Sequence, residues 1–248
     1  MAEPLTARTP EPKTQWCVGI HPPGARQREC ISHVTHTGRP ICEGWNMATS
    51  VGGTQMNQFQ FYEAPVRNTR SLKTMTIADT YRYITTSMRA MESTHQLRSL
   101  LERVKRGEAD VKEARRLKAE RFDFCTFSGT FSRRADDALL CHSGYICLDF
   151  DHVGTADDIY RLRSRLVEDE YFTTLLAFVS PSGDGLKWVV SIDTERGSHA
   201  KWFAALSNYV RATYNIECDA QCANISRACF LPFDATCYVA ENCNNSTF

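Results

Sequence analysis

An α+β fold is predicted by the way two kinds of apolar pattern follow each other along the chain. Short apolar runs of strand length occur at "GYICLDFD" (144–151), "TTLLAFVS" (173–180), "LKWVVSI" (186–192) and "RACFLPF" (227–233). Two longer runs carry helical spacing, "TADDIYRLRSRLVEDE" and "SHAKWFAALSNYVRATYN". The resulting order, β-α-β-β-α-β, is that of a ferredoxin/RRM-like core. Such a core is an antiparallel four-stranded sheet with two helices on one face and the other face free for a substrate.

Each element has its own reason. Thr155 with Asp158 three residues on is a capping-box start for the first core helix, and Ile159, Leu162 and Leu166 form its apolar face. In the second, Trp202, Leu206, Tyr209 and Val210 share a side. In "LKWVVSI", Leu186, Trp188, Val190 and Ile192 point one way. Ahead of this core, "FDFCTFSGTF" predicts a strand and turn. "TMTIADTYRYITTSM" predicts a helix with Ile77, Tyr81 and Ile84 on one face. Residues 95–121 predict two helices broken near Gly107. From 97 to 121 they carry nine basic side chains against five acidic ones, which suits either a solvated face or a groove for a phosphate backbone.

Residues 1–56 differ. They are loop-like, rich in Pro and Gly, with no sustained period, and the expectation is a poorly ordered segment. The expected organisation is therefore 1–56 poorly ordered, 57–240 one domain (a helical part at 70–121 and the ferredoxin-like core at 122–240), and 241–248 a tail.

The chain has 248 residues and equal numbers of basic and acidic groups, 29 each, so bulk charge favours no class of partner. No apolar run approaches the length of a membrane helix, and the N-terminal residues lack a signal-peptide core. Eleven cysteines without such a signal point to reduced thiols and a cytoplasmic protein. The C-terminal cysteines lack a CxxC spacing, which favours small buried side chains over a structural zinc site.

The chemistry concentrates at "LDFD". Asp149 and Asp151 are two apart on a strand and project from one face, with Phe150 on the other. Two carboxylates closing an apolar strand require a partner, because an unpaired buried charge is very costly. "SPSGDGLK" (180–187) supplies a tight turn whose amides suit phosphate oxygens, followed by Lys187. "ECDAQCANISRACF" brings Asp219, Asn224 and Arg227 just before and into the last strand. Three carboxylates beside two cations and a small-residue turn suit a divalent metal, Mg²⁺ or Mn²⁺, with a triphosphate.

Taken in order, "LDFD", the Ser-x-Gly-x-Gly turn and "D…N.SR.CF" resemble the archaeo-eukaryotic primase superfamily. The fuller pattern, "SGTF…R…SGYICLDFDH…SPSGDGLKWVV…D…ANISRACFLPFD", is similar to the primase-like N-terminal domain of virulence-associated protein E relatives, found in bacteria, phages and mobile elements. The resemblance covers roughly residues 57–240. It implies nucleotidyl transfer in DNA replication, with nucleoside triphosphates and a single-stranded DNA template as partners, and a helicase on a separate chain. Asp149, Asp151 and Asp219 would be the catalytic metal carboxylates. Ser180, Ser182, Gly183, Gly185, Lys187, Asn224 and Arg227 would contact nucleotide. One departure stands out: Lys187 occupies the place where these primases carry a histidine. The alternative class is a catalytically silent nucleic-acid-binding module on an RRM-like sheet, which needs stacked aromatics on an open face. A rolling-circle endonuclease would need a His-x-His pair that 57–248 lacks, and a nucleotide cyclase a "GG[DE]EF"-like turn that is absent.

Overall fold

The computed structural model describes residues 57–244, so the expectation for 1–56 lies outside the described residues. The chain begins with β1 (Phe59–Tyr62), β2 (Thr74–Met75), α1 (Ile77–Thr86), α2 (Met88–Lys105) and α3 (Val111–Arg121). Then come β3 (Phe124–Thr126), β4 (Gly129–Phe131), β5 (Leu139–His142), β6 (Tyr145–Phe150), α4 (Ala156–Val167), β7 (Thr174–Val179) and β8 (Leu186–Ser191). The last elements are α5 (His199–Tyr214), β9 (Cys229–Phe230), β10 (Tyr238–Val239) and α6 (Glu241–Asn244).

The split βαβ core forms as the patterns predict. β8 pairs antiparallel with β6 on one side and β7 on the other, so β6 and β7 run parallel and α4 crosses between them. The Thr155 and Asp158 capping box starts α4, and Ile159, Leu162 and Leu166 are buried. Ile146, Leu148 and Phe150 of β6, with Leu186, Trp188 and Val190 of β8, pack against α4 and α5. Thr174 Oγ1 accepts the Trp188 indole N–H at 2.7 Å, so that polar atom is satisfied inside the core.

Two expectations about the sheet are corrected. The predicted last strand does not join the core sheet. Its paired part, β9, joins β3 in a second sheet of order β2-β1-β3-β9. The fourth strand of the core sheet is instead β10, which pairs with β7 at the far edge and gives the order β10-β7-β8-β6. β6 is therefore an edge strand.

The second face of the sheet is not free either. Leu176, Phe178 and Val189 on that face pack against Phe59, Phe61 and Phe127 from the second sheet and its flanking turn. β7 and β8 are buried along both faces except at their last residues. Both sheets thus share one apolar layer, and the helices cover the outer side of β6–β8. No helix among the described residues is long and apolar enough to cross a membrane.

Candidate functional site

Strand register sets the centre of the site. Asp149 on β6 lies directly opposite Lys187 on β8, so the two side chains leave the same face side by side. They meet as an ion pair and hydrogen bond between Lys187 Nζ and Asp149 Oδ2. This is the partner that Asp149 required; Asp151 is exposed. Lys187 points to the carboxylate side, as the alternation predicts, but that side is closed and the lysine is only 5% exposed. Lys187 is therefore not a solvated strand lysine.

Burial pushes the Asp149 carboxyl up, and the Lys187 ammonium beside it opposes that. For Lys187, burial works against the charge, and the Asp149 carboxylate together with the Cys229 and Cys147 sulfurs outweighs it, holding the amine above its ordinary value. The second carboxylate oxygen, Asp149 Oδ1, is buried and has no hydrogen-bond partner among the described residues. A half-satisfied buried carboxylate is costly and calls for a further ligand.

Asp219 reaches the same strand through its main chain. Its N–H donates to the Asp149 carbonyl at 2.8 Å, on the open edge of β6. The Asp219 side chain caps the 3-10 turn Ala220–Ala223 through the Gln221 N–H at 2.9 Å, and its other oxygen pairs with Arg227 at 2.9 Å. Arg227 also binds the Gln221 side chain. Asn224 Oδ1 accepts from the Ser226 N–H and hydroxyl at 2.9 and 3.1 Å, which shapes the entry to β9.

A cavity of about 30 Å³ opens here, lined by Asp149, Lys187, Asn224 and Arg227 together with Ser128, Cys147, His199, Cys222 and Cys229. It admits a water-sized group and not a nucleotide. Asp151 lies past the end of β6 and is exposed. Among the described residues, no group of three or more His, Cys, Asp and Glu side chains is arranged to hold a metal ion.

The small-residue turn abuts the end of β6. A Cβ on Gly185 would come within 2.5 Å of the Phe150 carbonyl and 3.4 Å of Asp151 Cα, so only glycine fits there. The turn is closed by its own oxygens. The Gly183 N–H donates to the Ser180 carbonyl at 3.0 Å and the Gly185 N–H to Ser180 Oγ at 3.1 Å. Ser182 Oγ donates to Asp184 at 2.6 Å. The expectation of exposed amides is therefore corrected for Gly183 and Gly185, which point inward.

Two basic residues were hidden in the charged run. Arg98 on α2 donates to the carbonyls of Ser180 and Pro181, both at 3.3 Å, and so braces the turn. Lys118 on α3 is partly buried, with Nζ 5.3 Å from the centre of the Phe230 ring. Burial lowers its pKa, Lys187 adds to that, and Asp149 and Asp151 oppose it. The excess of basic residues at 97–121 signalled cations there. It did not show which of them turn inward, because that depends on how the α2–α3 hairpin docks.

His199 was missed for a similar reason, whereas Cys222, Cys229 and Cys237 are the small buried side chains that the sequence predicted. The eight described cysteines are free thiols, and Cys147 and Cys229 lie 3.9 Å apart across the two sheets. Period alone does not show that β9 crosses over to β3.

A family model described as BT4734-like, N-terminal domain, matches residues 116–239, half of the chain. The match runs from α3 to β10 and includes Lys118, Asp149, Lys187, Asp219 and Arg227. No curated protein and no solved structure matches the chain. With its paired strands, its closed turn and its Asp149–Lys187 centre inside the matched residues, the chain belongs to the family of BT4734-like N-terminal domains.

Proposed function

We propose that this domain carries out metal-dependent nucleotidyl transfer of the primase–polymerase kind on nucleic acid, in the replication of DNA or of mobile elements. The observation that carries the reading is Asp149. It is a largely buried carboxylate with one oxygen held by Lys187 and the other unpartnered, and it lines a small cavity. Membership of a family associated with primase-like proteins supports it.

The residues present fit Mg²⁺ or Mn²⁺. Mg²⁺ keeps several waters and is commonly held by one or two carboxylates plus substrate phosphates, without a full protein cage. Asp149 Oδ1 is the free ligand atom; Asp151 would approach from its exposed position two residues on, and Asp219 would have to give up its Arg227 pair to join them. The chemistry such an ion supplies when bound is neutralisation of the triphosphate and acidification of the attacking hydroxyl. Lys187 and Arg227 contribute positive charge where phosphate oxygens would lie, with Asn224 as a polar neighbour. Since the cavity is water-sized, the sugar and base lie outside it, over Asp151 and the turn formed by Ser180, Ser182, Gly183 and Gly185. Single-stranded DNA is the proposed template, the basic α2–α3 hairpin its closest positive surface, and a helicase acts from another chain.

The covered face of the sheet weighs against the silent RRM-like module, since aromatics there are spent on packing the second sheet. The test is incorporation of labelled nucleotides on a single-stranded template with Mg²⁺ or Mn²⁺. Wild type extends or primes. Asp149→Asn leaves Lys187 an oxygen to donate to but not its counter-charge, so it is destabilised yet folded at the assay temperature, and it loses incorporation. An Asp149→Asn protein that incorporates as well as wild type overturns the proposal.

A further inference from the structure

Two histidines that the proposed chemistry leaves unused meet at the base of the site. His142 ends β5 and His199 begins α5. His142 Nε2 is 3.3 Å from His199 Nδ1. The Gly144 N–H donates to His142 Nδ1 at 2.9 Å. At the other end, His199 Nε2 lies 3.4 Å from the Cys222 carbonyl oxygen.

These partners fix the protons. A main-chain N–H can only donate, so His142 Nδ1 accepts, and the neutral ring carries its proton on Nε2. That proton faces His199 Nδ1, which must accept it. His199 then carries its own proton on Nε2 and donates to a carbonyl, which can only accept. No other arrangement of two neutral rings satisfies both ends. Burial holds both imidazoles below their ordinary range, His142 at about 4, so neutral rings are the resting state. Asp136 is the carboxylate whose charge opposes the effect of burial on His199, and Asp149, Lys187 and Arg227 are the charged groups lining the same cavity.

The chain of bonds ends where it matters for the site. Cys222 lies in the 3-10 turn Ala220–Ala223, which Asp219 caps. The Cys222 N–H donates back to the Asp219 carbonyl at 3.0 Å, so this turn and Asp219 move together. β6 has no strand beyond Asp149, and this turn takes that place through the Asp219 N–H.

We infer that His142 and His199 are positioning residues, a neutral hydrogen-bond relay from Gly144 to Cys222 that holds the Asp219 turn against Asp149. Its consequence for nucleotidyl transfer rests on the function proposed above; the relay itself does not. Protonating His199 Nδ1 would set two N–H groups face to face and break it.

The test reads protons and amide exchange on the full chain, with no nucleotide present. In wild type at neutral pH, imidazole nitrogen NMR shows both rings as the Nε2–H tautomer. A proton on Nδ1 of either ring, or a charged ring, overturns the inference. Two variants then separate donation from packing. His199→Gln places an amide N–H where Nε2–H was and keeps the Asp219 amide protected to within about twofold. His199→Asn offers His142 an acceptor but leaves the Cys222 carbonyl without a donor, and Asp219 exchanges about tenfold faster, the scale of one lost hydrogen bond. Equal exchange in the two variants refutes the relay, and should neither variant fold, the wild-type tautomers decide. Because incorporation is not read, a failed relay leaves the transfer reaction standing, and an inactive domain leaves the relay standing.

Discussion

Lys187→Met isolates the ion pair at the centre of the site. Methionine is unbranched and of similar length, so it fills the space while removing the charge. Asp149 then keeps its negative charge with only 17% of its side chain exposed and one oxygen already unpartnered. Removing one partner of a buried pair costs about 3–5 kcal/mol. The residual exposure of Asp149 and the nearby Lys118 place this case near the lower end, at about 3 kcal/mol. For a domain of this size that lowers the melting temperature by roughly 6–12 °C.

The pH dependence gives a second, sharper reading. Burial already pushes the Asp149 carboxyl up, and losing Lys187 removes the main opposing influence. A carboxyl whose folded pKa lies above its unfolded value binds its proton more tightly in the native state. Stability from that proton is fully present below the unfolded pKa, about 3.9, and is lost as pH rises through the folded pKa. The deficit of the variant relative to wild type therefore shrinks on acidification. Urea unfolding of both proteins, at neutral pH and near pH 4, measures it. Adding Asp149→Leu to the variant should recover most of the loss at neutral pH, since replacing both members of a buried pair is often neutral or stabilising. A neutral-pH loss below about 1 kcal/mol, the scale of a surface pair, would refute the reasoning. So would a deficit that stays constant with pH.

Gly185→Ala drives a methyl to 2.5 Å from the Phe150 carbonyl, and should cost about 1–3 kcal/mol in urea unfolding while displacing the turn from the end of β6. Arg98→Met removes both hydrogen bonds to the Ser180 and Pro181 carbonyls, for a loss of about 1.5–3 kcal/mol and faster exchange of the Gly183 and Gly185 amides. Acid should destabilise the wild type through its histidines. Their folded pKa values are depressed by burial, so the stability tied to the neutral rings is present above the unfolded value, about 6.5, and is lost as pH falls through the folded value, about 4 for His142. Replacing His142 by Gln should flatten thermal stability over that interval.

Local order was legible in the sequence. The spacing of Ile159, Leu162 and Leu166, the Thr155 and Asp158 cap, and the alternation in β6 and β8 each depend on residues a few positions apart. The same short-range geometry put Asp149 and Lys187 on one side, because a strand fixes sides by parity alone. Covering of the second face was partly legible too. "TLLAFV" is apolar without alternation, as a strand buried on both faces must be, although its period alone could not say what lay against it.

What only the tertiary structure decided involves segments far apart in the chain. β1 pairs with β3 some sixty residues later, and β9 then joins β3 instead of β6, so the expected open face became an interior. β3 and β9 are three and two residues long, too short for any period to announce their partners. Once that second sheet closed over the first, Lys187 had to find a counter-charge inside the protein, and Asp149 was the carboxylate that the register put opposite it. The same closure brought His142, His199 and Lys118 to the site from three other elements. Their contribution is set by docking, where the large hydrophobic gain of joining two sheets outweighs the placement of any one polar side chain.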